Sequence, residues 1–173
     1  LSDDEKRSKT GGNVMAMGAL KRTAMNRLIH LNDYENNPKA QWTVNHVLER
    51  HKEGKPGIVF SSSSQGAEML KEQLEAKGLK VAYIHGGLDS AGKDEQRIMF
   101  QDKGEADVLL ATTAARTGVN LTRGKYVCMY DCPVNEMGYA QQAARAYRLK
   151  QSSDVEVVTP LLDMPEEKAA WAR

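Results

Sequence analysis

Two arginines, Arg145 and Arg148, are the side chains of this 173-residue sequence best suited to chemistry. They are three residues apart, and residues with this spacing are neighbours on one face of a helix. A guanidinium stays charged at any working pH and can bind two phosphate oxygens at once. Two of them on a rigid helix would suit a nucleoside triphosphate chain as its γ-phosphoryl group leaves. A solvated basic helix face is the alternative that the spacing alone leaves open.

Small polar residues and glycines follow three predicted strands, which cover residues 58–60, 80–84 and 108–111. Because ligands bind at the carboxyl ends of parallel strands, we expect these residues to lie along one edge of a sheet. Hydroxyls and backbone N–H groups are neutral donors for phosphate oxygens. Each segment alone is typical of a cap, a turn or a loop, and it is their joint placement that predicts a site. The residues are Ser61 and Ser62, then His85, Gly86 and Gly87, then Thr112 and Thr113, with Gly118 and Asn120 beyond them.

Short apolar runs alternate with helical stretches from residue 54 onwards. Further strands are predicted over 126–130 and 155–159, and helices over 65–77, 91–103 and 135–149. The serine run at 61–64 offers an N-cap to the first of these helices, and Gly78 is placed to end it. Strands that are apolar throughout and separated by helices are typical of a parallel sheet covered on both faces. We therefore predict an α/β fold, a doubly wound parallel sheet with helices on both faces.

The domain organisation is predicted from the same patterns. Residues 1–12 are a polar lead-in, and 13–53 form an N-terminal helical extension with helices over 13–31 and 39–53. The sheet domain covers 54–162, and 163–173 form a short C-terminal helix. The first residue is Leu1, which suggests a fragment or a processed chain.

Composition limits the classes of function. Net charge is only +1, so nucleic-acid binding would require a local patch. No apolar run approaches the roughly 20 residues that span a bilayer. Cys128 and Cys132 lack the spacing and the partners of a zinc site. We expect them to be buried thiols in a reducing, intracellular protein.

A missing motif is also informative. The sequence contains no G-x-x-x-x-G-K-[ST] phosphate loop, and no acidic pair at a strand end is placed to hold Mg²⁺. The chain therefore offers arginines suited to a triphosphate without the loop that would hold one. We interpret it as one half of a composite site.

Four segments in order resemble the second RecA-like domain of superfamily-two helicases and translocases, closest to the Swi/Snf type. The resemblance runs from about residue 39 to 159. Residues 55–61 look like motif IV, 84–100 like the segment that follows it, 107–121 like motif V and 141–151 like motif VI. Ala144 and Lys150 replace two glycines of the motif VI pattern, whereas both arginines and both flanking glutamines are present.

The resemblance implies a role for each candidate residue. Arg145 and Arg148 would reach across a cleft to ATP, which the missing first RecA-like domain would hold with Mg²⁺. Gly118, Asn120 and Gln141 would contact or orient the nucleotide. The backbone of DNA, with RNA as the alternative, would be held by Ser61, Ser62, Gly86, Thr112 and Thr113.

Two other hypotheses stay open. A non-catalytic nucleic-acid or protein binding module could retain the fold, and the Ala144 and Lys150 departures favour it. An unrelated α/β enzyme could bind a small phosphorylated ligand at the same edge, with His85 as its base. A lone histidine is more often a hydrogen-bonded structural residue, which counts against the second of these.

Overall fold

The computed structural model describes residues 34–112, 121–130 and 155–160, which fall within one compact unit that begins at Tyr34. The elements, in chain order, are a 3-10 turn at Tyr34–Asn36, helix α1 (Pro38–Lys52), strand β1 (Gly57–Ser61), helix α2 (Ser64–Ala76), strand β2 (Val81–Ile84), helix α3 (Ser90–Gln101) and strands β3 (Val108–Thr112), β4 (Tyr126–Met129) and β5 (Glu156–Val158). The predicted elements over these residues are confirmed to within one or two positions. The predicted lead-in 1–12 and helices 13–31, 135–149 and 163–173 lie outside the described residues.

The five strands form one sheet in the order β2-β3-β1-β4-β5. Every neighbouring pair is parallel. The central strand β1 is flanked by β3 and β4, and all five of its residues are buried. The predicted parallel sheet is therefore confirmed, and its register aligns the carboxyl ends of β1, β2 and β3 at one edge.

One face of the sheet packs against α3. Side chains alternate between faces along a strand, so every second residue of β1 to β4 points to this side. They enclose Phe100 of α3, which is fully buried. Truncation of such a phenylalanine to alanine typically costs about 3–5 kcal/mol. The core of this face comprises Ile58, Phe60, Ala82, Ile84, Phe100, Ala106, Leu109, Ala111, Leu121, Val127, Met129 and Val155.

The opposite face is covered by α1 and α2, which contact each other. His46 of α1 meets the Tyr126 ring edge-on, with 5.4 Å between ring centroids. The Tyr126 ring lies over Gly57, where any Cβ would overlap it. Cys128 is buried beneath Thr43, and its burial raises the pKa of the thiol to about 12. The expectation of a buried thiol is confirmed for Cys128, whereas Cys132 lies outside the described residues.

Each helix begins at a side chain that accepts a backbone hydrogen bond. Asn37 caps α1 through a 3.0 Å bond from Ala40 N, with proline at the first helical position. Ser63 caps α2, as the serine run predicts, and Asp89 caps α3. Gly78, with φ +88°, ends α2 as predicted, because few other residues adopt this conformation.

Arg123 fixes the loop between α3 and β3. Its Nη1 donates to the carbonyl oxygens of Phe100 at 2.9 Å and Ala106 at 2.7 Å. The guanidinium also lies 5.1 Å from the centroid of the Phe100 ring. A cation is favourable at the carboxyl end of a helix, where carbonyl groups lack partners. Arg123 thus holds α3 against the sheet from the end opposite the candidate site.

Among the described residues, no helix is long and apolar enough to cross a membrane.

Candidate functional site

The predicted polar residues that the structure describes lie together at the carboxyl edge of the sheet. Ser61 of β1 pairs with Thr112 of β3, and Ile84 of β2 pairs with Ala111. His85 and Gly86 follow β2 directly, so they lie beside Thr112 at the same edge. The structure thus brings Ser61, Ser62, Gly86 and Thr112 to one edge, as the sequence predicts. We call this edge the carboxyl rim.

The serine run shapes the turn from β1 into α2. The Ser61 hydroxyl is buried, donates to the Ser63 carbonyl at 2.9 Å and accepts from Ser63 N at 3.2 Å. Ser63 in turn accepts from Gly66 N at 3.3 Å as the N-cap. Ser62 lies between them and is exposed. The buried hydroxyl therefore organises the turn, while Ser62 presents a hydroxyl on the outer side of the rim.

Thr112 differs from its neighbour Ser61. Its side chain is 2% exposed, and its Oγ1 has no hydrogen-bond partner within the part of the chain that the structure describes. A buried hydroxyl without a partner costs about 1–3 kcal/mol. A group that carries such a cost at the ligand-binding edge of a parallel sheet is suited to donate to a bound oxygen.

The loop after β2 is held by His85. Its Nδ1 accepts from Gly87 N at 3.1 Å, and Leu88 N donates to its carbonyl oxygen at 3.2 Å. Its ring packs on Tyr83, with 4.8 Å between centroids. Since Nδ1 is already an acceptor within the turn, His85 has a structural role and is poorly placed to act as a base. Gly86 is exposed at the tip of this turn.

Three residues at the rim were missed by the sequence analysis. Tyr130 follows β4, and its backbone N donates to Phe60 O at 2.9 Å, so it lies beside Ser61. Asn37 donates to the Tyr130 hydroxyl at 3.0 Å. Lys39 is 3% exposed, with its Nζ 5.8 Å from the centroid of the Tyr130 ring. The Asn37-Pro38 pair signals a helix start, but no local signal links it to a residue so distant in sequence.

Several predicted site residues lie outside the described part of the chain. They are Thr113, Gly118, Asn120, Gln141, Arg145 and Arg148. Their roles stay predictions. Among the residues that are described, no three histidine, cysteine, aspartate or glutamate side chains gather as a metal site.

The chain is similar to curated helicases over more than half of its length. It is 32% identical over 108 residues to the DEAD-box ATP-dependent RNA helicase RhpA of Helicobacter pylori, which covers 62% of this chain and 22% of RhpA. It is also 32% identical over 95 residues to the ATP-dependent DNA helicase RecQ of Haemophilus influenzae, which covers 55% of this chain and 15% of RecQ. The chain therefore spans about a fifth or less of the length of these relatives.

The fold is similar to that of the C-terminal part of the Fun30 ATPase domain. The TM-score is 0.72 at 21% sequence identity, over 92% of this chain and 54% of that one. This similarity confirms the RecA-like architecture. Residues 38–150 match the family model of the helicase conserved C-terminal domain, and the match includes α1, which the sequence analysis had grouped with the N-terminal extension. With this match over most of the sequence and a five-stranded parallel sheet beneath it, the chain belongs to the helicase conserved C-terminal domain family of superfamily-two helicases.

Proposed function

We propose that this chain is the second motor domain of a longer ATP-dependent DNA helicase or translocase. The observation that carries the proposal is the carboxyl rim, where the buried Thr112 hydroxyl without a described partner lies beside Ser61. The family match includes this rim and the positions of both arginines. In this function, the domain supplies cations and backbone-binding groups, and a first RecA-like domain holds ATP and Mg²⁺.

Arg145 and Arg148 would act as arginine fingers on the ATP held by the first domain. Such residues contribute on the order of 10³–10⁵ in rate to phosphoryl transfer in related enzymes. Gly118, Asn120 and Gln141 would contact or orient the nucleotide. Because the fuel site would be shared, the isolated chain should bind nucleic acid weakly and should not hydrolyse ATP.

The nucleic-acid backbone would lie along the carboxyl rim. Ser62 and Gly86 are exposed there, Thr112 supplies a buried hydroxyl, and Thr113 follows it in sequence. Hydroxyls and amides bind phosphate oxygens without reading the base sequence, which suits a motor that steps along a strand. DNA is favoured because the order of the four segments resembles the Swi/Snf type. RhpA is named an RNA helicase and RecQ a DNA helicase, so stimulation by each polymer is part of the test.

The proposal is tested with the longer polypeptide and with this chain alone. In the longer polypeptide, Arg148→Ala should lower the kcat for ATP hydrolysis on the order of 10³-fold and leave the Kd for ATP within about twofold. Lys71→Ala is the control, because Lys71 lies on α2 and pairs only with its helix neighbour Glu75 among the described contacts. Robust DNA-stimulated ATP hydrolysis by the isolated 173-residue chain would contradict the shared site. Nucleic-acid binding without hydrolysis in the longer polypeptide would instead support a binding module.

A further inference from the structure

Helix α1 is attached to the chain on both sides of the segment that carries the two arginines. Tyr130 directly follows β4, and Glu156 begins β5. Residues 131–154 lie between them in sequence and include Arg145 and Arg148. Side chains from α1 and its N-cap bind both flanking residues.

The first attachment is the contact between Asn37 and Tyr130, both of which are buried. The Asn37 amide is used at both ends: Oδ1 accepts from Ala40 N at 3.0 Å, and Nδ2 donates to the Tyr130 hydroxyl at 3.0 Å. Lys39 lies over the Tyr130 ring, with 5.8 Å between its Nζ and the ring centroid. The start of α1 therefore holds the end of β4 at the carboxyl rim.

The second attachment is the contact between Arg50 and Glu156 near the other end of α1. Arg50 donates from Nε at 3.1 Å and from Nη2 at 2.8 Å to the two carboxylate oxygens of Glu156. His46 Nε2 lies 3.1 Å from the same carboxylate. A two-point contact of a planar guanidinium fixes orientation as well as distance. The start of β5 is thereby held to the last turns of α1.

The two attachments share one rigid element. Asn37 and Arg50 are thirteen residues apart on a continuous helix, which corresponds to about 20 Å at 1.5 Å per residue. The helix runs from the carboxyl rim to the opposite edge of the sheet, because Tyr130 lies at the end of β4 and Glu156 pairs with Tyr126 at its start. A rigid helix with one attachment at each end fixes both ends of residues 131–154 relative to the carboxyl rim.

We propose that α1 is a positioning brace, in which Asn37 and Arg50 fix the two ends of residues 131–154 and so set the reach of Arg145 and Arg148 toward the nucleotide. This inference rests on the proposed function. Neither Asn37 nor Tyr130 touches the reacting atoms. Their effect is to hold a cation-bearing segment at the correct distance from a phosphoryl group. A displacement of about 1 Å in such a group can cost as much as 10²-fold in rate.

The test separates the brace from the helix cap. Asn37→Ser keeps a good N-cap for α1 but is too short to reach the Tyr130 hydroxyl. In the longer polypeptide we expect its kcat for nucleic-acid-stimulated ATP hydrolysis to fall roughly tenfold or more, with the KM for ATP within about twofold. Asn37→Asp should restore the kcat, since its carboxylate caps the helix and accepts from the tyrosine hydroxyl. Tyr130→Phe should match Asn37→Ser, and the double variant should be no slower than either.

Asp89→Ala is the matched control for lost stability, because Asp89 caps α3 and has no described contact with β4 or β5. If Asp89→Ala lowers the kcat as much as Asn37→Ser does, the brace is overturned. A second measurement, hydrogen–deuterium exchange on the 173-residue chain, does not depend on ATP hydrolysis. Faster exchange in peptides from 131–154 in Asn37→Ser than in Asp89→Ala supports the brace, and equal exchange overturns it. A wild-type polypeptide without ATPase activity would refute the proposed function while the exchange experiment still decided the brace.

Discussion

Replacing Thr112 by valine should make the domain more stable and the motor worse. Thr112 is 2% exposed at the end of β3, and its Oγ1 has no described hydrogen-bond partner. An unpaired buried hydroxyl costs about 1–3 kcal/mol. Valine has the same branched shape and suits a strand equally well. We expect the free energy of unfolding of the chain to rise by about 1 kcal/mol and the Tm by about 3 °C.

The same change should weaken nucleic-acid binding. A hydrogen bond to a charged group such as a phosphate contributes about 1.5–3 kcal/mol, which corresponds to roughly a tenfold to hundredfold change in Kd. Fluorescence anisotropy with a labelled oligonucleotide at fixed salt measures this loss directly, since such affinities depend steeply on salt. Denaturant unfolding of the same preparation measures the stability.

Thr43→Val is the matched control. Thr43 of α1 is 1% exposed, but its hydroxyl donates to the Lys39 carbonyl at 2.9 Å. Its removal should lower the free energy of unfolding by about 1 kcal/mol, because a satisfied bond is lost. If Thr112→Val destabilises the chain as Thr43→Val does, the Thr112 hydroxyl is paired within the fold. It would then not be held open for a ligand, and the reasoning would be refuted.

Three further predictions concern the described core. Gly57→Ala should lower the free energy of unfolding by about 3 kcal/mol in a denaturant titration, because the new methyl group would displace the buried Tyr126 ring. Cys128 should resist a thiol reagent in the folded chain and react on unfolding, since burial raises its pKa to about 12. Burial, outweighing an opposing nearby carboxylate, lowers the pKa of His46 below 6.5, so its contribution to stability is complete above pH 6.5 and falls as pH drops through the folded-state pKa. Unfolding titrations from pH 7 to 5 should show this loss, and His46→Gln should flatten it.

Much of the fold could be predicted because its signals are local. Apolar runs of four or five residues between helical stretches indicate buried parallel strands, and the strands lie where these runs occur. A serine run before a helix predicts a cap, and a glycine after it predicts an end. The sequence could not show which serine would cap α2. That choice depends on the turn after β1, where the Ser61 hydroxyl bonds to the Ser63 backbone and leaves Ser63 as the cap.

The candidate site could be predicted only in part, for a related reason. A strand followed by a hydroxyl residue can be recognised locally, and parallel register then brings Ser61 and Thr112 together. The contact between Asn37 and Tyr130 joins residues 93 positions apart, and no local pattern encodes it. The same is true of the contact between Arg50 and Glu156. Both require the order of the strands and the direction of α1 across them, which are properties of the assembled sheet.

The two hydroxyls in the middle of the carboxyl rim separate shaping the site from binding at it. Ser61 and Thr112 are paired neighbours and equally buried, yet only Ser61 is bonded within the described fold. Removing the Ser61 hydroxyl should loosen the turn into α2 and destabilise the chain, whereas removing that of Thr112 should stabilise it. Opposite signs at adjacent positions would not arise if both hydroxyls served only packing. They follow if the fold satisfies one hydroxyl itself and leaves the other for a phosphate oxygen.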